Sequence, residues 1–274
     1  MPSPSTPTRS SRRRKKTDWL HLGSGKSYFH RTHQPLQCLV FITPLLLFYQ
    51  IMSAWHPFDA AQGGGFHVVA FVLMLQFFKA FGAAGNVLPM AAVIAILICW
   101  HLARKDPWDF DPKLYAGMAA ESIVWGIPFF VIGLAVARHV ITHGFAISGG
   151  GEGMPLAAVA TTMPWKSEVV LSVGAGIYEE LLFRLIAITT LNIILVDILE
   201  MNIQYAIPAI VLISATLFSA YHYLGAEPFQ AGTFAFRLAL GVYFAGIYVY
   251  RGFGIVVGAH TVYDLIVIAF THMH

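Results

Sequence analysis

Beyond residue 35 the chain is a succession of long apolar runs separated by short polar or glycine-containing breaks. The runs occupy residues 36–55, 66–81, 87–103, 114–137, 169–199, 206–224, 229–250 and 254–271. A helix crosses a hydrocarbon layer of roughly 30 Å with about 20 predominantly apolar residues. The pattern therefore predicts an all-α, polytopic transmembrane helical bundle of about eight membrane helices. The second run is the least regular. Lys79 stands near its end and FGAAGN follows as a short turn, so it reads as a span, an interfacial piece or a re-entrant one.

Composition agrees with that pattern. Of the 274 residues, 57% are hydrophobic and 11% charged, and the mean hydropathy is +0.66. A soluble globular domain of this size is excluded. The chain divides into a basic tail at 1–35, accessory helices at 36–112 and a core at 113–274 where the chemistry concentrates. The net charge of +3 is dominated by the tail, where TRSSRRRKK holds Arg9, Arg12, Arg13, Arg14, Lys15 and Lys16 among Ser, Thr and Pro. Such a segment is predicted to be disordered. A basic cluster ahead of a first span is better explained as a positive-inside signal, with the N-terminus in the cytoplasm, than as an anionic-lipid or nucleic-acid patch. The expected partners are membrane lipids, and no nucleic acid.

The first long run begins near Leu36, too late and too long for a cleaved leader, and is expected to remain as a span. Cys38 and Cys99 each lie inside an apolar run, which implies neither a disulfide nor a metal site. The glycine-rich loop ISGGGEGMP contains Gly149, Gly150, Gly151 and Gly153 but has no flanking strand and no Lys-Ser/Thr pair, so it reads as a flexible linker. With the tail inside, eight spans would open the region around Glu179 toward the cytoplasm, and seven would open it outward.

Ionisable residues inside the runs are the informative exceptions, because a charge at the bilayer centre costs about 2.5 to 3.5 kcal/mol even on a lenient insertion scale. The back half of the chain offers several: Glu179, Glu180, Arg184, His222, Arg237, His260 and Asp264. Glu180 and Arg184 are four apart, on one helical face, and can form an ion pair. Glu179 points about 100° away and has no local partner. A carboxylate so placed can take and return a proton, which describes a general base. The alternative is that both glutamates make helix-to-helix hydrogen bonds or lie at a membrane boundary.

In FSAYH, Phe218 and His222 share a face, and in HTVYD, His260 and Asp264 sit one turn apart. The second pair suits two metal ligands or two hydrogen-bond donors aimed at one point. Each cluster alone fits an ordinary interhelical contact. Three clusters on three segments, each with its own desolvation penalty, predict convergence on one buried polar site. Other intramembrane protease chemistries fit poorly: HExxH and GxGD are absent, and AISGG around Ser148 is a weak serine candidate in a loop.

EELLFR (EExxxR), FSAYH (FxxxH) and HTVYD (HxxxN/D), in this order on separate helices, resemble the CPBP family of intramembrane proteases, which includes the type II CAAX prenyl endopeptidases. The resemblance covers residues 169–271 and the helix before them, and leaves the earlier helices unmatched. It implies an intramembrane endopeptidase in a multi-pass protein of the bacterial inner membrane. The implied substrate is a protein cut near its C-terminus or a peptide precursor, with a lipid modification or a C-terminal sorting tail as its mark.

By that resemblance Glu179 and His222 activate a water, His260 and Asp264 help hold the developing oxyanion, and Glu180, Arg184 and Phe218 support the site. The prenyl proteases carry Asn where Asp264 stands. An ionised Asp cannot donate a hydrogen bond, so Asp264 is protonated, orients His260, or binds a metal. A zinc ion would take Glu179, His222, His260 and Asp264 as ligands, which leaves only Glu180 as base, already engaged by Arg184. A mechanism without metal or other cofactor is therefore expected. The other class is a non-catalytic relative, a peptide-immunity protein or proton-coupled carrier using the same buried charges. Carriers are often built from inverted repeats, and none is visible.

Overall fold

A computed structural model describes residues 27–55, 67–143, 164–224 and 227–273, in which all regular structure is helical. Most of the basic tail and the glycine-rich loop, with Ser148, lie outside the described residues. After a single turn at Tyr28–Arg31 come α1 (Pro35–Trp55), α2 (Val69–Ala80), α3 (Leu88–Arg104), α4 (Pro112–His143), α5 (Trp165–Ile198), α6 (Ile203–Tyr221, extended by a tight turn at His222–Leu224), α7 (Ala231–Arg251) and α8 (Phe253–Met273). All eight apolar runs become helices. Six of them, α1 and α4 to α8, are long and apolar enough to cross a membrane.

The two short helices change the count of crossings. α2 has 12 residues, which at 1.5 Å per residue reaches only about 18 Å. The start of α2 lies near the end of α1, where the Tyr49 hydroxyl meets His67 Nδ1 at 3.0 Å. The end of α3 lies back at the start of α1, where Gln37 donates to the Asp109 carbonyl at 3.1 Å and Arg31 pairs with Asp111 at 2.6 Å. One passage is thus shared by α2 and α3. With α1, α4, α5, α6, α7 and α8 the eight helices make seven passages between the ends of the bundle, the lower of the two counts left open above.

Helix α8 is the centre of the packing, with every residue from Phe253 to Thr261 buried. It runs parallel to α1 and α4 and antiparallel to α5. The Gly254 amide donates to Cys38 Sγ at 3.3 Å, Ser122 reaches the Ile255 carbonyl at 3.4 Å, and His272 in the last turn contacts Glu168 in the first turn of α5 at 2.8 Å. Gly252 alone joins α7 to α8. Its φ of +88° favours glycine, and an added Cβ would stand 2.9 Å from the Thr32 carbonyl oxygen.

Two features were not foreseen from the sequence. Helix α5 leaves α geometry directly after Glu180 and runs as a wider π-helix over Leu181–Ile188 and again over Ile193–Ile198. Wide turns of this kind concentrate at functional sites. At the end where α1 begins, Glu121 accepts hydrogen bonds from Arg251, from Tyr28 at 2.8 Å and from Trp125 at 3.0 Å. This second, partly buried ion pair fastens α4, α7 and the turn before α1 to one another.

Candidate active site

The site is assembled where α5 and α8 come closest. Gly176 makes that approach possible, because a Cβ there would collide with Thr261 Oγ1 and crowd the Val257 carbonyl. One turn later Glu179 and Glu180 face His260 and Asp264. Glu180 is fully buried and serves two partners. Its Oε1 accepts from His260 Nδ1 at 2.7 Å, and its Oε2 lies 3.1 Å from Arg184 Nε.

Arg184, also fully buried, lies with its guanidinium 4.4 Å from the centroid of the Phe218 ring and donates to the Gly241 carbonyl at 3.4 Å. Its charge meets Glu180 without an aligned hydrogen bond. The helical wheel drawn from the sequence does not hold here, since Arg184 sits in the π segment. The pairing survives at a less favourable angle.

His260 is held on three sides. Its ring stacks on Phe244 at 4.6 Å and 24°, its Nδ1 is engaged by Glu180, and its Nε2 faces Asp264 Oδ2 at 3.6 Å and Glu179 Oε2 at 4.0 Å. An imidazole nitrogen between two carboxylates is favourably placed when it carries a proton.

Glu179 does have a partner, contrary to the expectation from its own helix. The Tyr221 hydroxyl donates to its Oε1 in a short hydrogen bond. Tyr221 precedes His222 in the FSAYH motif and is the site residue that sequence reasoning missed. The signal was its position one residue from a candidate histidine. The Tyr221 ring also packs on Phe183 at 4.9 Å and on His222 at 4.4 Å.

His222 stands at the end of α6, with Nδ1 at 2.8 Å from the Phe218 carbonyl. A carbonyl only accepts, so Nδ1 carries the hydrogen and Nε2 is the basic atom. Among the described residues no hydrogen bond or ion pair joins His222 to Glu179, His260 or Asp264. All four nevertheless line one cavity of about 440 Å³, together with Tyr221 and, farther out, His67 and Arg237. Arg237 is held by both carboxylate oxygens of Glu227, at 2.8 and 3.0 Å.

Among the described residues no group of three or more His, Cys, Asp or Glu is arranged to hold a metal ion. Glu180 and the Phe218 carbonyl each engage one nitrogen of the two histidines, which leaves both Nε2 atoms toward the cavity that Glu179 and Asp264 also line.

A multi-pass helical membrane protein with a largely apolar cavity among α5 to α8 into which carboxylates and histidines project is thus the class that fold and site define. Residues 161–266 match the family model described as type II CAAX prenyl endopeptidase Rce1-like. The similarity read from the three motifs is therefore found over a segment that contains them all, and at the level of family it speaks for a CAAX-protease-like membrane peptidase. No curated protein and no solved structure matches the chain.

Proposed function

We propose that the protein is an intramembrane endopeptidase in which Glu179 activates a water for attack on a peptide carbonyl, without a metal. The observation that carries this reading is the disposition of the Glu179 carboxylate. One oxygen is fixed by Tyr221, while the other stands free in a cavity and 4.0 Å from His260 Nε2, a gap that suits a bridging water or a substrate oxygen.

Glu179 takes the proton of the water as its oxygen attacks. His260, oriented by Glu180 as a buried carboxylate orients a catalytic imidazole, donates from Nε2 to the oxyanion. Asp264 steadies the charge on that ring rather than donating itself. His222, basic at Nε2, shares in guiding the water, and the proton that Glu179 took from it returns to the leaving amine, directly or through His222 Nε2. Arg184 holds Glu180 in place. The substrate is a protein or peptide that reaches the cavity from the surrounding lipid or along its polar side.

The experiment compares membranes carrying the parent protein with membranes carrying Glu179→Gln, mapping newly formed polypeptide ends by mass spectrometry. Losing a general base should lower cleavage about 100-fold or more while the variant remains folded. Identical sets of new ends in both membranes would remove Glu179 from this role. Elemental analysis of the purified active protein tests the rest: near-stoichiometric zinc whose removal stops cleavage and whose return restores it overturns the metal-free mechanism.

A further inference from the structure

The cavity and the start of α1 lie at opposite ends of the bundle. α1 and α8 begin side by side, as the bond from the Gly254 amide to Cys38 Sγ requires. α8 meets the cavity only from His260 onward, at Asp264 and Ile268 as well, and its last turn contacts the start of α5. The cavity continues toward that far end through Glu168 near the start of α5, His67 ahead of α2 and Arg237 in the first half of α7. Seven passages, an odd number, place the start of α1 and the end of α8 at opposite ends.

Their charges differ. Ahead of α1 stand Arg12, Arg13, Arg14, Lys15, Lys16 and Lys26 in sequence, followed by Arg31. The connection from α3 to α4 at the same end adds Arg104, Lys105 and Lys113, together with Asp106, which pairs with Arg104, and Asp109 and Asp111, which pair with Arg31; acidic residues weigh little in setting orientation, so the count of Lys and Arg decides. At the cavity end, the connecting residues 56–66, 144–163 and 225–230 contain no Lys or Arg, but do contain Asp59, Glu152 and Glu227. The cations near that end are Arg138 and Lys166 on the flanking helices, and Arg237, which Glu227 neutralises. Short connections rich in Lys and Arg stay in the cytoplasm.

We infer that the cavity opens on the non-cytoplasmic face of the membrane, and that its substrate presents the scissile segment from that side. The substrate class is then an exported chain or the extracytoplasmic tail of a membrane protein, not a prenylated C-terminus in the cytoplasm. The orientation stands on geometry and charge, whereas the word substrate rests on the peptidase reading proposed above. The outward opening follows from counting seven passages where eight apolar runs suggested the opposite face.

The test is labelling with a membrane-impermeant maleimide in spheroplasts of a bacterial host. The full chain carries Cys99→Ala, and the buried Cys38 serves as the unreactive control. One exposed cysteine is then introduced, either Gln230→Cys at the cavity end or Phe110→Cys at the other. Labelling of Gln230→Cys in intact spheroplasts, with Phe110→Cys labelled only after lysis, is the expected result. The reverse pattern, or labelling of both before lysis, overturns the inference. A second measurement leaves the interior untouched: alkaline phosphatase fused after His274, at the end where α8 finishes, should be active, and an inactive, stably expressed fusion overturns the orientation. Neither readout involves cleavage. A wrong orientation leaves the peptidase reading standing, and loss of Glu179-dependent cleavage leaves the orientation standing.

Discussion

Replacing Arg184 by alanine isolates the cost of the buried charge beside the proposed base. The side chain is fully buried and makes three interactions: the 3.1 Å approach to Glu180, the 3.4 Å bond to the Gly241 carbonyl and the 4.4 Å contact over the Phe218 ring. Breaking a buried ion pair from one side typically costs about 3 to 5 kcal/mol, because the remaining charge is left without compensation. Here His260 still donates to Glu180 at 2.7 Å, which places the electrostatic part near about 3 kcal/mol, the low end of that range. Loss of a desolvated cation–π contact adds up to about 2 kcal/mol.

The expected destabilisation is therefore about 3 to 5 kcal/mol, a large share of the roughly 5 to 15 kcal/mol that holds a protein folded. The assay is equilibrium unfolding in mixed micelles of rising denaturing-detergent content, followed by circular dichroism. The double variant Glu180→Gln with Arg184→Met removes both charges and keeps an acceptor for His260, so it should recover about 2 kcal/mol relative to Arg184→Ala. An Arg184→Ala protein within about 1 kcal/mol of the parent, or a double variant no more stable than the single one, refutes the assignment of Arg184 as the compensating charge.

Three further outcomes are expected. Tyr221→Phe keeps the ring contacts with Phe183 and His222 but removes the donor to Glu179. Its kcat for Glu179-dependent cleavage should fall about 10-fold with KM unchanged, the effect of losing one hydrogen bond to a charged group, and an unchanged kcat excludes a positioning role. Gly176→Ala should destabilise by about 1 to 3 kcal/mol in the same unfolding assay, since its Cβ meets Thr261 and the backbone of α8. Gly246→Ala, which meets nothing within 4 Å, should be neutral or slightly stabilising, and equal losses in both would show that the α5–α8 approach is not what Gly176 provides.

The helices were legible because a membrane span is written locally, as a run of apolar side chains of sufficient length. α1, α7 and α8 fall within a few residues of their runs. α4 continues to His143 because nothing in Arg138 or His139 stops a helix. Crossings were harder to count than helices, since whether α2 and α3 share a passage depends on where Gln37 and Arg31 bring the end of α3 back. Glu179, Glu180, His260 and Asp264 could be assigned to one region because helical spacing arranges each motif and buried charges attract one another.

What local spacing could not carry were bonds between distant parts of the chain. Tyr221 looks like one more aromatic in an apolar run until Glu179 is placed against it. Glu121 and Arg251 are 130 residues apart, and neither has a charged neighbour on its own helix to suggest the pair. The π geometry after Glu180 likewise has no marker in the residues that adopt it.

The single-residue link at Gly252 makes α7 and α8 two arms of one hinge whose pivot is far from the opening between them. Each arm is 21 residues long, about 32 Å at 1.5 Å per residue, so a rotation of about 5° at the pivot moves its tip by about 3 Å. His260 lies only seven residues from Phe253, about 10 Å along the axis, and the same rotation shifts it by less than about 1 Å. The entrance can therefore widen by the breadth of a methylene chain while His260 and Glu180 stay within reach of each other.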